Sequence, residues 1–198
     1  MVEIHPSIGQ LSKLRYLDLC FCTSLCDLPS MSAEMQSLEV LEVVYCPKIN
    51  SFLKFTGIMK NLLKLRFCWT AIKEVQPSSI KCLTALILLD LSDNRNLKCL
   101  PSNMHNLSSL ETLRLSNYLK LKSLPRLPST VRVIEATFCY SLKLSSWSQP
   151  LSQWCPYDER DIQVEFKILF YFLQVISSLS LSLSLSLSLS LSLLNNNS

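Results

Sequence analysis

"LILLDLSDNRNLKCLP", residues 86–101, decides the fold. Leucine stands at its first, fourth and sixth positions and asparagine at its ninth; later leucines lead to a closing proline. The same arrangement recurs on both sides, as "LRYLDLCFCTSLCDLP" from Leu14, "LEVLEVVYCPKINSF" from Leu38, "LLKLRFCWTAIKEV" from Leu62, "LETLRLSNYLKLKSLP" from Leu110 and "VRVIEATFCYSL" from Val131. Starts at 14, 38, 62, 86, 110 and 131 are four steps of 24 residues and one of 21. A fixed period of this length marks a solenoid, in which no coil can bury its core alone and stacked neighbours bury a continuous one. The third copy shortens its second half after Thr70.

The pattern is that of a leucine-rich repeat. Positions four and six of each copy alternate with other residues, so they share one face of a short strand and turn inward. Position nine (Cys22, Cys46, Thr70, Asn94, Tyr118 and Cys139) also points inward, where its side chain satisfies backbone groups as the chain leaves the strand. Asn does this well and Cys and Thr less well, whereas Tyr118 is expected to distort its coil. Prolines after Leu28, Leu100 and Leu124 disfavour a regular helix in the return segments. The expected fold is therefore an α/β leucine-rich-repeat solenoid of about six coils, with a short-stranded parallel sheet on its concave face and mostly irregular coil on the other.

Positions three, five and seven are expected to face outward from the concave side. Position three brings Tyr16 and Lys64; position five brings Asp18, Glu42, Arg66, Asp90, Arg114 and Glu135. Parallel strands lie about 4.8 Å apart, which lets Arg66 sit between Glu42 and Asp90, and Arg114 between Asp90 and Glu135. Such a row is either a self-neutralising ladder of exposed pairs or a charged stripe for a partner. Position eight carries Phe21, Tyr45, Trp69 and Phe138, edge aromatics that either anchor a partner or cover neighbouring loops.

Composition narrows the function. Apolar residues make up 48% and charged residues 17%, which suits a packed core. A net charge of +4 without any Lys/Arg block gives nucleic acid no footprint. The two glycines, Gly9 and Gly57, cannot form a phosphate-cradling loop. His5 and His105 fall in different repeats without triad spacing, so no catalytic residue is assigned and the chain reads as no enzyme. Cys20-x-Cys22-x-x-x-Cys26 has some look of a zinc motif, but positions seven and nine face opposite sides; no metal and no cofactor are expected. The nine cysteines read as buried free thiols of a reducing compartment, because no signal peptide is visible in "MVEIHPSIGQLSKL". A cytoplasmic location follows as the expectation.

Residues 8–30 ("IGQLSKLRYLDLCFCTSLCDLPS"), 70–116 ("TAIKEVQPSSIKCLTALILLDLSDNRNLKCLPSNMHNLSSLETLRLS") and 124–142 ("LPRLPSTVRVIEATFCYSL") together resemble the repeat region of plant intracellular disease-resistance proteins, especially the class with an N-terminal TIR domain. The resemblance covers about residues 4–145. Gln76 is an extra residue within the family's TAI-KE-(L/V)-PSSI segment, and "SSWSQPLSQWCPYDERDIQVEF" has no clear counterpart in its post-repeat domain. The resemblance implies a sensor or autoinhibitory module. Its implied partners are proteins: a pathogen effector, a guarded host protein, or the receptor's own nucleotide-binding and TIR domains, which have no counterpart in these 198 residues. A generic intracellular repeat scaffold unrelated to defence is the alternative. The opening "IHPSIGQLSKL" looks like the closing half of an earlier repeat, so the chain reads as part of a longer array.

The expected organisation is a repeat array over residues 1–145, a post-repeat segment over 146–167 and a low-complexity tail over 168–198. No residue from Ile168 to Ser198 is charged, and residues 178–193 are eight Ser-Leu pairs. As a helix this alternation spreads leucine over all sides; as a strand it makes an unpartnered ribbon. A CT dinucleotide repeat translates as Ser-Leu alternation in every forward frame. Translated repeat sequence is the favoured reading, and a membrane span is the lesser one.

Overall fold

The computed structural model describes residues 2–142. Within them, six strands form one parallel sheet in sequence order: β1 (Tyr16–Asp18), β2 (Val40–Cys46), β3 (Lys64–Thr70), β4 (Leu88–Asp90), β5 (Thr112–Arg114) and β6 (Val133–Glu135). Register follows the repeat. Leu17 is opposite Leu41, Leu41 opposite Leu65, Leu65 opposite Leu89, Leu89 opposite Leu113, and Leu113 opposite Ile134. A slip of one residue would turn this whole leucine row to solvent, so burial fixes the pairing.

The inward row is closed. Leu41, Leu65, Leu89 and Leu113 at position four, and Val43, Phe67, Leu91 and Leu115 at position six, have no exposed surface. On the return side Leu25, Leu97 and Leu121 are equally buried, so the core lies between sheet and returns. Most return chain is irregular, as the prolines require. Its helical parts are two 3-10 turns, Pro6–Gln10 and Ser102–Asn106, and one short α-helix, Pro77–Lys81. Pro77 at the first turn of that helix costs no hydrogen bond, because its missing N–H has no intrahelical acceptor there. Gly57 marks a close approach between returns. A Cβ on it would meet the Ala33 Cβ at 2.8 Å.

Position nine closes each coil from inside. Asn94, fully buried, donates from Nδ2 to the carbonyls of Phe67 (2.6 Å) and Leu91 (2.7 Å), while its Oδ1 accepts from the Thr70 N–H (3.0 Å) and hydroxyl (2.6 Å). The thiols of Cys46 and Cys139 make the equivalent of the first bond, to the position-six carbonyls of Leu19 (3.1 Å) and Leu115 (3.0 Å). Tyr118 does not distort its coil. Its ring is completely buried and the preceding Asn117 keeps the backbone turn of the other coils, with φ of 65°. Its hydroxyl is buried without a hydrogen-bond partner among the described residues, and burial pushes its pKa far up.

No helix of the described residues is long and apolar enough to cross a membrane. The boundary after residue 145, the post-repeat segment and the Ser-Leu tail lie outside the described residues.

Candidate functional site: the outward sheet face and its aromatic rim

Strand alternation puts position five on the face opposite the leucine core, and the matched register lines these residues up across the sheet. Arg66 occupies the middle, with Nη1 3.2 Å from Glu42 Oε1 and Nε 3.7 Å from Asp90 Oδ2. Burial draws the Arg66 pKa down, but Glu42 and then Asp90 more than offset it, so its net shift is upward. Arg114 meets one half of the sequence expectation and not the other. It pairs with Glu135 at 3.2 Å and makes no ion pair with Asp90 among the described residues. Asp90, only 5% exposed, spends its Oδ1 on the Ser92 N–H and meets Arg66 through Oδ2, which fixes it on the Arg66 side.

At the β1 end the row turns acidic. The Tyr16 hydroxyl donates to Glu42 Oε2 at 2.9 Å, a bond that raises the Tyr16 pKa to about 12. Hydrogen bonds from Cys20 hold Asp18 below the usual carboxylate range; its Oδ1 accepts the Cys20 N–H at 2.8 Å. Asp18 makes no ion pair among the described residues. Desolvation, then Asp18, push the Cys20 thiol up to about 12, so it stays protonated. Polar atoms of Asp18, Cys20 and Glu42 lie within 4.8 Å of one another, a grouping the sequence spacing did not reveal because Glu42 comes from the next coil. Lys64 stands exposed at the start of β3.

At the C-terminal ends of the strands, with Tyr45 inside β2 and Trp69 inside β3, position eight forms a rim. Phe21, Tyr45, Trp69, Asp93, Asn117 and Phe138 all have left-handed backbone, with φ between 53° and 65°. The cause is geometric: the chain must leave the sheet here without giving up a ladder bond. The N–H of Phe21 still donates to Val44 (2.8 Å), that of Trp69 to Ser92 (3.3 Å), that of Asp93 to Ser116 (2.9 Å) and that of Asn117 to Thr137 (2.8 Å). The first three rings meet one another in a tilted row. Phe21 and Tyr45 have centroids 5.6 Å apart, and Tyr45 and Trp69 are 5.9 Å apart. Phe138 stands separately, 6.3 Å from Tyr140.

The eight described cysteines are free thiols. They are not all buried as the sequence suggested: Cys26 and Cys99 are exposed, because both fall between the leucines of a return segment. Burial pushes the Cys68 thiol far up. Among the described residues His5 bonds to Ser7 and His105 to the Ser102 carbonyl, away from the sheet face.

The sequence comparisons agree with this architecture. Residues 34–117 match the family described as leucine-rich repeats of RPS4B-like disease resistance proteins. The chain is similar to disease resistance protein RML1A of Arabidopsis thaliana, at 37% identity over 59% of this chain and 11% of the relative. It is also similar to TMV resistance protein N of Nicotiana glutinosa, at 34% identity over 62% of this chain and 11% of that one. The chain thus spans about a tenth of the length of the curated relatives it matches. Among solved structures it has a likeness to the functional domain of InlJ from Listeria monocytogenes, with a TM-score of 0.29 and 15% identity, covering 72% of this chain and 35% of that one. The register of its coils makes the array a leucine-rich-repeat solenoid, and its sequence is similar to the repeats of plant disease resistance proteins.

Proposed function

We propose that the outward sheet face, from Tyr16 and Asp18 through Glu42, Lys64, Arg66 and Asp90 to Arg114 and Glu135, recognises a partner protein. The module would then serve as the sensor or autoinhibitory repeat region of a cytoplasmic plant immune receptor. A pathogen effector, a guarded host protein or the receptor's own signalling domains are the partner classes. The observation that carries this reading is Arg66, held 40% exposed between Glu42 and Asp90. A surface pair of this kind adds only about 0–1 kcal/mol to stability, so a pre-set charged row serves orientation and selectivity better than folding. A binding module fits a face whose central charges, Glu42, Arg66 and Asp90, are already held in pairs.

Arg66→Glu would place a third carboxylate between Glu42 and Asp90. Immobilised full-length chain, exposed to plant extract, should retain a protein that Arg66→Glu loses and that Arg126→Glu, changed on an exposed return residue, keeps. Equal recovery on all three supports would overturn the assignment of this face.

A further inference from the structure

The rim rings are costly where they are. A non-glycine residue in left-handed backbone loses about 1–2 kcal/mol, and Asn or Asp lose least. Coils four and five of this chain carry Asp93 and Asn117 there, the economical choice. Phe21, Tyr45 and Trp69 occupy the same conformation with large rings that stay 72%, 46% and 42% exposed. Neither burial nor backbone preference accounts for three consecutive aromatics at these positions. The fold sets this backbone in every coil, so it is the choice of ring over Asn or Asp that points to use.

What the rings accept is shown once within the chain. The Arg95 guanidinium lies over the Trp69 ring, 5.5 Å from its centroid, close enough to Asp93 to act on that carboxylate's charge. The Trp69 ring thus holds one guanidinium across coils three and four. Coils one and two carry further exposed rings with no arginine over them among the described residues, and an acid on the first strand. Phe21 and Tyr45 supply rings, and Asp18, three residues before Phe21 on the same strand and turn, supplies an unpaired carboxylate.

We propose that the Phe21–Tyr45–Trp69 rim, with Asp18 three residues before Phe21 on the sheet face, is the docking strip for an arginine-bearing segment of a partner protein. The inference rests on the sheet face being a recognition surface and names the chemistry of what it recognises. Guanidinium is preferred over ammonium because its flat, weakly hydrated face lies on a ring while its edge meets a carboxylate. Single-stranded nucleic acid also stacks on aromatic rows, but Asp18 and Glu42 set negative charge where its phosphates would run.

The test uses the full chain and a fluorescent Gly-Arg repeat peptide, read by anisotropy, against the same peptide with neutral citrulline in place of arginine. The Arg peptide should bind about tenfold more tightly than the citrulline peptide, from stacking charge and the carboxylate together. Phe21→Asn with Tyr45→Asn installs the residue that coil five already carries there. That variant should keep its thermal unfolding and lose about fivefold in affinity. Asp18→Asn should weaken binding, whereas Glu74→Gln, an exposed acid elsewhere, should not. Arg95→Ala should strengthen binding, because it frees the Trp69 face for the peptide. Equal affinity for arginine and citrulline, equal effects of Asp18→Asn and Glu74→Gln, or tighter binding of an oligothymidylate than of the peptide would each overturn the proposal. Failure here with Arg66→Glu still abolishing capture would leave the recognition surface standing and remove only the arginine strip.

Discussion

Asn94→Ala should destabilise the array by about 3–4 kcal/mol, at the upper end of what a single substitution does. Four hydrogen bonds end on this fully buried amide. Its loss leaves the Thr70 N–H and the carbonyls of Phe67 and Leu91 without their partner in a dry interior. Each such orphan costs about 1–3 kcal/mol, and partial relaxation and entry of water reduce the sum. Asn94→Asp is no rescue, since a carboxylate would face two carbonyl oxygens. Thr70→Ser keeps the hydroxyl and should cost well under half as much. Thermal unfolding followed by circular dichroism reads the effect as a fall of roughly 10 °C in Tm. A fall of only a degree or two would mean that Asn94 is not the tie between the third and fourth coils.

Phe67→Ala should cost about 4 kcal/mol and change the form of the transition as well as its midpoint. Phe67 is fully buried at position six of β3 and its ring lies 5.0 Å from that of Phe52, on the return side. It therefore fills the core from sheet to return. Stability in a stacked array is a sum of coil and nearest-neighbour contributions, so a cavity here weakens the joints to both neighbours. Denaturant unfolding should become broader or split in two, as the coils on either side unfold apart. Because Asn94 Nδ2 bonds to the Phe67 carbonyl, the double variant should cost less than the two single losses together. A sharp single transition at an unchanged midpoint would contradict this description of the core.

Much of this was legible in the sequence because it follows from periodicity. Leucine at positions four and six fixes an inward face, and a repeat of 24 residues fixes the register, so Leu41, Leu65 and Leu89 had only one place to go. The Arg66 bridge was legible for the same reason. Of the two partners expected for Arg114, Glu135 was legible and Asp90 was misread, since Asp90 can turn to either side and its bond to the Ser92 N–H is set by local backbone. Left-handed backbone at position eight left a signal only at Asp93 and Asn117, whose types favour it; Phe21, Tyr45 and Trp69 hid it. The fit of Tyr118 escaped because pattern gives position but not the volume available there. The Arg95 contact with Trp69 joins two coils at positions outside the repeat consensus, where spacing carries no information.

The central claim is that the outward sheet face is where this module meets another protein. A photo-crosslinking residue, p-benzoylphenylalanine, placed at Lys64 on that face or at Lys98 on an exposed return segment tests it most directly. With plant extract and ultraviolet light, the Lys64 position should give a discrete heavier adduct that Arg66→Glu in the same chain abolishes, and the Lys98 position should give none. An adduct formed from Lys98 and not from Lys64 would contradict the claim.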